Sequence, residues 1–453
     1  MGFEDAITEA LGLQGAELGK IEFDREKLIA TVAVTWPFHL SRCCQCGDFL
    51  LEVHSWETRE VRAPAFGIYR TTLKLRYARG LCRSCDRIRT ARVLFVHREF
   101  GGLTCGLAEQ AGRMMEEMTC AATARLLGLN EKTLWRLDQW RMERMRGQLR
   151  LEEITKSLDL SKLSADEVHF RTIEEKRRDH PFAARWQTKF ITNLVCTKEA
   201  KVIANASGRD AKALAACLKT LTKPERLSVE FFALDMHPGF FSAVRKLCPN
   251  AEIAVDRFHL VQQLNKAFDE VRKSEFRMAK RGDNEFLKTM LGPRNRFILV
   301  ERNAALSPQE EDMLGKLKML NDNIHNAMLV VDYFHRLLDE RGVGGFRRLL
   351  AQWYGLVRKA KLKPLREFAS QVRKYRRNIE AYIRENLTTA ISEGINNKIR
   401  VLKAMAYGYT NEQSFMLKIL QRCGFLNSQY IDTKSWFFYV PPEEPGTKPH
   451  HAI

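Results

Sequence analysis

Apolar and polar residues alternate differently along the chain, and each pattern predicts a different kind of secondary structure. Residues 1–100 favour short strands and turns, because stretches such as KLIATVAVTW alternate with a period of two. Residues 106–148 have apolar positions at helical spacing, and residues 163–257 alternate strand-like with helix-like segments. Residues 258–385 are almost entirely helical and basic. Together the patterns predict a multidomain protein with an α/β part and an α part.

The alternating region places acidic residues in or at the ends of its predicted strands. The strand-like segments SADEVHF, LSVEFFALD and EIAVD contain Asp166, Asp235 and Asp256. PGFFSAVRKL predicts a helix with Pro238 in its first turn. Functional groups collect beyond the carboxyl ends of strands in an open sheet, so these acids could converge. Converging carboxylates suit Mg²⁺, and a pair of such ions promotes phosphoryl transfer, although Asp235 could instead be only a helix cap.

A helix near the C-terminus, ISEGINNKIRVLKAM, has an apolar stripe and a polar face. The stripe comprises Leu387, Ile391, Ile395, Ile399, Leu402 and Ala406. At about 100° per residue, Glu393 lies almost opposite that stripe. The other residues on its face are amides and cations: Asn396, Asn397, Arg400 and Lys403. From this pattern alone, Glu393 is either a solvated surface residue or part of a site that the rest of the chain must define.

The charge balance favours a polyanionic partner. The 453 residues include 74 Lys and Arg against 55 Asp and Glu, a net charge of +19, and nucleic acid is the commonest partner of so basic a chain. No stretch approaches the roughly 18 apolar residues of a membrane-spanning helix, so no membrane partner is expected. The first residues lack the features of a signal peptide, and the eleven cysteines are mostly single and in apolar contexts. We therefore expect a cytoplasmic protein.

Two C-x-x-C pairs predict a metal site. Cys43 and Cys46 form the first pair, and Cys82 and Cys85 form the second, on either side of a basic strand segment. Four such thiolates close a tetrahedral Zn²⁺ site and stabilise a small domain. We expect one structural zinc in a zinc-ribbon-like β module. The alternative is that two cysteine pairs occur by chance in a cytosolic protein.

The segment TCAATARLLGLNEKTLWRLDQW predicts a helix-turn-helix. Small residues in the first helix permit a close crossing, Gly128 permits the turn, and Asn130 caps the second helix. The expected shared core consists of leucines: Leu126, Leu129, Leu134 and Leu137. Lys132, Thr133 and Arg136 would be exposed on the second helix, where such side chains read base edges or phosphates. An ordinary helical hairpin is the alternative.

Two long segments, Asp235–Lys273 and Glu393–Leu420, resemble one protein family, the DDE transposases of the ISL-three insertion-sequence family. DMHPGFFSAVRKLCPNAEIAVDRFHLVQQLNKAFDEVRK (Asp235–Lys273) is similar to the family's central block. EGINNKIRVLKAMAYGYTNEQSFMLKIL (Glu393–Leu420) is similar to its C-terminal block. Members carry an N-terminal zinc-binding domain, a helix-turn-helix and a ribonuclease-H-like catalytic domain interrupted by an all-α insertion. That order matches this chain from about residue 1 to residue 425.

The resemblance implies an active site of three acids, Asp166, Asp235 and Glu393. They would hold two Mg²⁺, or Mn²⁺, while water and then the freed 3′-hydroxyl attack DNA phosphates in line. Glu167 is the rival for the first acid, because the segment RTIEEKRRDHPFAARWQTKF is longer and more charged than the turn found in the family. Thr389 also stands where the family usually has Asn.

The same resemblance suggests supporting residues around these acids. Asp256 and His259, in DRFHL, would support the metal ligands, or else serve only as a helix N-cap and a packing histidine. The amides and cations on the face of Glu393 would extend towards the phosphate backbone: Asn396, Asn397, Arg400 and Lys403.

The implied function is a DNA transposase that binds the terminal inverted repeats of its own insertion sequence and catalyses Mg-dependent DNA cleavage and strand transfer. Its partners would be double-stranded DNA, as terminal repeats and as target, and a homodimer or higher oligomer would form on DNA. The expected location is the bacterial cytoplasm, in association with the nucleoid. The alternatives are a sequence-specific regulator with an inactive catalytic fold and a plain metal-dependent nuclease.

Six domains are expected from the patterns and the resemblance together. They are a zinc-binding β-rich domain (1–100), a helix-turn-helix (101–150), the first part of the catalytic domain (151–260), the helical insertion (261–385), the C-terminal catalytic helices (386–430) and a tail (431–453). Residues 1–150 are expected to bind the element's ends by themselves.

Overall fold

The architecture is mixed α/β and divides into two compact units. The computed structural model describes residues 3–176, 184–282, 284–295, 307–385, 390–406, 409–433 and 436. Within these residues, one unit is Met1–Leu149 with Met405–Ile453, and the other is Arg150–Ala404. The predicted tail lies outside the described residues, apart from 431–433 and 436. None of the described helices is long and apolar enough to cross a membrane.

The first unit begins with a twisted sheet. Its strands are β1 (Glu17–Asp24), β2 (Ile29–Thr35), β3 (Arg42–Cys43), β4 (Leu50–Phe66), β5 (Tyr69–Cys82) and β6 (Arg87–Arg92). They pair in the order β1-β2-β5-β6-β3, and β4 also pairs with β5. The strands of the β4–β5 hairpin have 17 and 14 residues, so the prediction of only short strands was wrong. Alternate residues of β5 face the core, where Leu73 and Leu75 are fully buried beside Trp36.

A helix, α1 (Phe3–Leu11), precedes the sheet. This helix was not predicted, because the pattern of residues 1–100 favours strands and turns. Ile7 and Leu11, one helical turn apart, are 3% and 2% exposed and pack into the same core as Trp36. A two-residue apolar pair is too short a pattern to distinguish a helix from a turn without the sheet beneath it.

Three further helices follow the sheet: α2 (Cys105–Glu117), α3 (Cys120–Leu127) and α4 (Glu131–Gln148). Each begins at a polar cap, because the side chains of Thr104, Thr119 and Asn130 accept hydrogen bonds from backbone N–H groups in the first turn. Short 3₁₀ turns lie at Phe38–Leu40 and, in the second unit, at Pro293–Asn295.

The second unit contains its own mixed sheet. Its strands are β7 (Lys162–Lys176), β8 (Ala184–Cys196), β9 (Lys201–Ser207), β10 (Phe231–Leu234) and β11 (Glu252–Val255). They pair in the order β11-β10-β7-β8-β9. β8 runs antiparallel to both β7 and β9, whereas β10 is parallel to β7 and to β11. Helices α5 (Leu151–Thr155), α6 (Ala211–Leu218), α7 (Lys223–Leu227) and α8 (Pro238–Leu247) flank these strands in sequence.

The charged segment RTIEEKRRDHPFAARWQTKF follows Asp166 in the sequence, and its described residues extend the β7–β8 hairpin. Arg171–Lys176 continues β7 and pairs with residues 184–189 of β8. Residues 177–183 lie outside the described part of the chain. The additional residues therefore extend the β7–β8 pair beyond the position of Asp166.

The rest of the second unit is helical. Its helices are α9 (Arg257–Arg281), α10 (Glu285–Met290), α11 (Pro308–Leu320), α12 (Asp322–Leu338), α13 (Val343–Ala360), α14 (Lys363–Lys374), α15 (Arg376–Glu385) and α16 (Ala390–Met405). Phe334, Trp353 and Phe368 form an aromatic core between α12, α13 and α14, with ring centroids 4.9–6.0 Å apart. α15 returns to the sheet, where Asn378 Nδ2 donates to the carbonyl of Ile253 at 2.7 Å.

The last helix, α17 (Glu412–Cys423), belongs to the first unit. Leu417 packs with Met142 and Met145 of α4, and Lys418 Nζ lies 2.5 Å from Asp138 Oδ2. Residues 386–430 are predicted to belong to the catalytic domain, whereas the boundary between the compact units falls between Ala404 and Met405. The division into six domains remains a prediction.

Candidate active site and nucleic-acid interface

Two of the three predicted acids lie side by side in the second sheet, Asp166 within β7 and Asp235 directly after β10. Ala165 of β7 is paired with Leu234 of β10, so the residues that follow them, Asp166 and Asp235, lie at the same level. Both carboxylates approach one ring nitrogen. His259 Nε2 is 3.8 Å from Asp166 Oδ1 and 4.0 Å from Asp235 Oδ2. The strand order thus brings together residues that are far apart in the sequence.

Asp256 and His259 lie at the same place. Asp256 follows β11 and caps α9, because its Oδ1 accepts from Phe258 N at 2.7 Å. Its Oδ2 is 3.3 Å from Nδ1 of His259. Burial would lower the pKa of His259, but Asp256, Asp166 and Asp235 raise it to about 9. The three carboxylates thus favour the charged form of the ring, which balances part of their own negative charge.

The acids are crowded and partly buried, which is the environment that a divalent cation relieves. Burial raises the pKa of Asp166, and burial together with the charges of Asp166 and Asp235 raises the pKa of Glu167. Glu167 Oε2 is buried and has no hydrogen-bond partner among the described residues. Hard carboxylate oxygens are the ligands that Mg²⁺ and Mn²⁺ prefer. The donor set around Asp166 and Asp235 therefore fits such an ion.

Glu393 is exposed in the first turn of α16. One turn later, Asn396 is 6% exposed and its Nδ2 donates a hydrogen bond to Asp166 Oδ2. The helix that bears Glu393 is thus held against the first aspartate. Within the described residues, the three acids do not form a compact set of ligand atoms such as the four cysteines form.

The predicted polar face of α16 is only partly exposed. Ile395 and Ile399 are buried as the stripe predicted, and Leu387 and Thr389 lie outside the described residues. Asn397 and Arg400 are exposed, and Arg400 Nη1 donates to Asn397 Oδ1 at 2.9 Å. Lys403 Nζ instead donates to the carbonyl of His169 on β7 at 3.1 Å.

The four predicted cysteines converge in the first unit. Their sulfur atoms all lie within 4.8 Å of one another, with Cys46 and Cys82 3.3 Å apart and Cys43 and Cys85 3.9 Å apart. A tetrahedral zinc with Zn–S bonds of about 2.3 Å requires S···S distances of about 3.8 Å. This set of ligands could bind zinc.

The two cysteine turns have the same construction. The N–H of Gln45 donates to Cys43 Sγ and the N–H of Cys85 donates to Cys82 Sγ, both at 3.4 Å. The turns close at residues with positive φ, Gly47 and Asp86. Burial would raise the pKa of Cys43, but backbone N–H donors lower it to about 7, which favours the thiolate that binds metal.

The predicted helix-turn-helix segment folds as two helices joined at Gly128, which adopts the left-handed conformation with φ 60°. Arg62 of β4 donates to the carbonyls of Gly128 and Leu127, so the β module holds the turn. Lys132 and Arg136 are exposed and Thr133 is half-buried. Leu134 and Leu137 are fully buried, but Leu126 is 62% exposed, so the prediction of its place in the core was wrong. Leu126 lies on the outer side of α3, away from the helix crossing.

One buried residue, Asn193, and one partly buried residue, His237, lie near the two aspartates and are not among the predicted site residues. Asn193 of β8 is paired with Asp166 across the sheet, is 1% exposed, and has neither side-chain polar atom hydrogen-bonded within the described residues. Within the described residues His237 Nδ1 likewise has no hydrogen-bond partner, and His237 lies two residues after Asp235, directly before Pro238. No motif marks Asn193, because only the sheet register brings it opposite Asp166. His237 lies in the segment DMHPGFF that carries the family resemblance, but its residue type alone indicates no role.

Comparison with known proteins gives a consistent set of relatives. A profile described as transposase, for the ISL-three group of DDE enzymes, matches residues 181–419. The transposase for insertion sequence element IS1001 of Bordetella parapertussis is 26% identical over 380 residues, 83% of this chain and 87% of that protein. The transposase for IS1557 of Mycobacterium tuberculosis is 19% identical over 285 residues, 58% of this chain and 60% of that protein. Among solved structures, the Drosophila P element transposase strand transfer complex has a TM-score of 0.36 and 10% identity, over 71% of this chain and 93% of that one.

Proposed function

The chain belongs to the ISL-three family of DDE transposases, and on that premise we propose which of its residues carry out transposition. It is a DNA transposase, and family membership implies a metal-dependent polynucleotidyl transferase and endonuclease. Its proposed substrates are the terminal inverted repeats of its own insertion sequence and a target duplex. The observation that carries the proposal is the meeting of Asp166 and Asp235 at His259.

The proposed catalytic acids are Asp166, Asp235 and Glu393, with two Mg²⁺, or Mn²⁺, as the cofactor. When bound, such ions activate the attacking oxygen and stabilise the leaving oxygen of a phosphodiester. Asp166 is preferred to Glu167, because Asp166 is the acid that contacts both His259 and Asn396. Successive strand residues point to opposite faces of a sheet, which also favours Asp166 over Glu167.

The neighbouring side chains position these acids. Asn396 donates to Asp166 and fixes the orientation of its carboxylate beside the helix of Glu393. His259 keeps the aspartates together by balancing their charge, and Asp256 holds His259 through Nδ1. The exposed Asn397 and Arg400 are proposed to contact the phosphate backbone. Lys403, held by His169, would add positive charge at the same face.

The finer fold assignments belong to the same proposal. A ribonuclease-H-like catalytic domain is supported by the order β11-β10-β7-β8-β9, with antiparallel strands on one side of β7 and parallel strands on the other. The helices within residues 261–385, which include α15, would then form the all-α insertion between β11 and α16. The four cysteines are proposed to hold one structural Zn²⁺ in a zinc-ribbon-like module.

End recognition is assigned to the helix-turn-helix formed by α3 and α4. Lys132, Thr133 and Arg136 lie on the second helix, whose first turn is held by the cap at Asn130. Side chains at the start of such a helix reach base edges in the major groove. Because α17 packs in the same compact unit, end binding is best tested with the full chain rather than with residues 1–150.

The terminal repeats of an element are inverted, so a protein that binds both ends together is expected to be two-fold symmetric. We therefore propose a homodimer or higher oligomer on DNA. Association with the nucleoid would follow from DNA binding by so basic a chain.

The test is cleavage of a labelled duplex that contains the terminal repeat. The sequence of this repeat is taken from the DNA that flanks the gene. Full-length protein is expected to nick the repeat end in Mg²⁺ and to join the 3′-end to a second duplex. Asp235→Asn should bind the duplex and fail to cut it. A regulator with an inactive catalytic fold would bind without cutting in both forms, and a plain nuclease would cut without joining. Either outcome would overturn the proposal.

A further inference from the structure

A cavity in the first unit lies beside the proposed recognition helix. Its volume is about 830 Å³, which exceeds the lower end of the range for ligand pockets, about 300 Å³. One wall is formed by Trp140 and Arg144 of α4, and the opposite wall comes from the β module and the segment after it. All of its lining residues belong to Met1–Leu149 and Met405–Ile453, so the cavity lies within one compact unit.

The cavity has a strongly basic lining. It contains four arginines and one acid: Arg59, Arg92, Arg98, Arg144 and Glu99. The floor is apolar, with Val93, Leu94 and Val96. His97 adds no charge at neutral pH, because burial lowers its pKa to about 4. A site with this lining favours a ligand that is anionic at one end and planar or apolar at the other.

The aromatic groups of the wall are arranged around one cation. The guanidinium carbon of Arg144 lies 4.9 Å from the ring centroid of Trp436 and 5.4 Å from that of Trp140. The two indoles meet edge to face at 6.1 Å. Both indoles and guanidinium planes are surfaces on which unpaired nucleic-acid bases stack. The guanidinium group of Arg144, which the two indoles hold in place, therefore offers a base both a plane to stack on and a positive charge.

The cavity and the proposed recognition surface share helix α4. Lys132, Arg136, Trp140 and Arg144 recur at every fourth residue, so each lies about one turn further along the helix and about 40° further around it. Arg136 stacks over Phe100 at 5.9 Å between the two regions. The rise of a helix from Arg136 to Arg144 is ~12 Å, the length of about four nucleotides of a stacked strand at ~3.4 Å each.

We propose that this cavity binds unpaired nucleotides of a DNA strand whose duplex part lies on Lys132 and Arg136. The arginines contact the phosphates, and an unstacked base lies against the plane of Arg144 beside Trp140. The inference rests on the proposed end recognition and adds to it a preference for DNA that is locally unpaired. An acidic peptide shares the charge of DNA but has no base to stack, so the aromatic wall favours the nucleotide.

The test compares two duplexes that bind the full-length, zinc-loaded protein. One is a fully paired terminal repeat, and the other is the same repeat with about four unpaired nucleotides at its end. Wild type is expected to bind the unpaired form at least about 5-fold more tightly, the lower limit for one stacked base. Fluorescence of 2-aminopurine in the unpaired stretch should fall on binding, because stacking quenches it.

Matched variants separate stacking from charge. Arg144→Ala and Arg92→Ala should reduce the affinity ratio towards 1 while paired-duplex binding by Lys132 and Arg136 remains. Arg144→Lys keeps the charge without the plane and should retain only part of the ratio. Arg146→Ala is the control, because Arg146 is exposed on the same helix and does not line the cavity. An unchanged thermal unfolding transition confirms that each variant is folded.

Three outcomes would overturn the inference. The first is a wild-type protein that binds the paired and the unpaired form with equal affinity. The second is a reduction of this affinity ratio in Arg146→Ala equal to that in Arg144→Ala. The third is competition by a poly-glutamate peptide that is as strong as competition by the unpaired strand. These outcomes leave the proposed function intact, because paired-duplex binding and cleavage persist. Failure to bind either duplex would instead contradict the proposed end recognition itself.

Discussion

The buried ion pair between Lys418 and Asp138 is expected to be the strongest single polar contact that joins α17 to α4. Nζ lies 2.5 Å from Oδ2, and the two side chains are 8% and 1% exposed. Lys418 Nζ also donates to the carbonyl of Met115 at 3.3 Å and to Gln421 Oε1 at 2.6 Å. Lys418→Met keeps the length and apolar stem of the side chain but leaves the carboxylate of Asp138 buried. Among the described residues, the hydrogen-bond donor left to Asp138 would be Gln421, whose Nε2 lies 3.4 Å from Asp138 Oδ1.

Removing one member of a buried pair typically costs about 3–5 kcal/mol, because the other charge stays desolvated. At roughly 2–4 °C per kcal/mol for a unit of this size, the first unit should melt roughly 6–20 °C lower. The double variant Lys418→Met, Asp138→Leu removes both charges and should recover most of the loss. Lys20→Met is the control, because Lys20 forms an exposed pair with Glu22 and its loss should have little effect.

Unfolding would be followed by thermal scans together with hydrogen exchange of the amides in α4 and α17. Exchange should accelerate in both helices of Lys418→Met. A change below about 0.5 kcal/mol, or a double variant less stable than Lys418→Met, would refute the argument from buried charge.

Three further results are expected. Metal analysis of the full chain should find one zinc per protein, and Cys82→Ser should lose it together with the fold of the β module; a wild type without zinc would contradict this. Asn396→Leu should lower the cleavage rate more than the affinity for the repeat, because its amide orients Asp166, whereas Asn397→Leu, which removes a proposed phosphate contact, should lower the affinity more than the rate; the same pattern in both variants would count against the contact of Asn396 with Asp166. Arg347 and Arg376 lower the pKa of Glu380 to about 2, so its stabilising contribution is present above about pH 4.5 and is lost towards pH 2. The difference in melting temperature between wild type and Glu380→Gln should therefore shrink between pH 6 and pH 3, and a constant difference would contradict the charged role.

The elements nearest the acids could be predicted from the sequence. α8 begins at Pro238 and ends at Leu247 as expected, because proline at the first helical position and a short apolar period mark both ends. β10 and β11 lie within the predicted segments, since Phe231–Leu234 and Glu252–Val255 are bounded by aspartates that leave the sheet. Asp166 and Asp235 then come together through the parallel register.

Other features depend on tertiary contacts that no local pattern contains. Asn396 lies only about 60° around the helix from Ile399, so it can turn either to solvent or to Asp166, and the sheet determines which. Most of α17 belongs to the family block that begins at Glu393. Nevertheless, Leu417 packs against α4 and Lys418 forms an ion pair with Asp138 of α4. Leu126 has the period of a core residue but faces outward, because Arg62 and Gly128 fix how α3 meets its neighbours.

Cleavage by Glu393→Gln tests most directly whether the exposed glutamate of α16 completes the active site. Glutamine keeps the shape but not the charge, so repeat binding should remain at the wild-type level while cleavage and strand transfer in Mg²⁺ fall by orders of magnitude. Glu412→Gln, on the next helix in the chain, is the control and should leave the cleavage rate unchanged. The double variant with Asp235→Asn should be little worse than either single variant, as expected of groups that act as a unit. A Glu393→Gln protein that cuts labelled ends as fast as an active wild type would contradict the assignment.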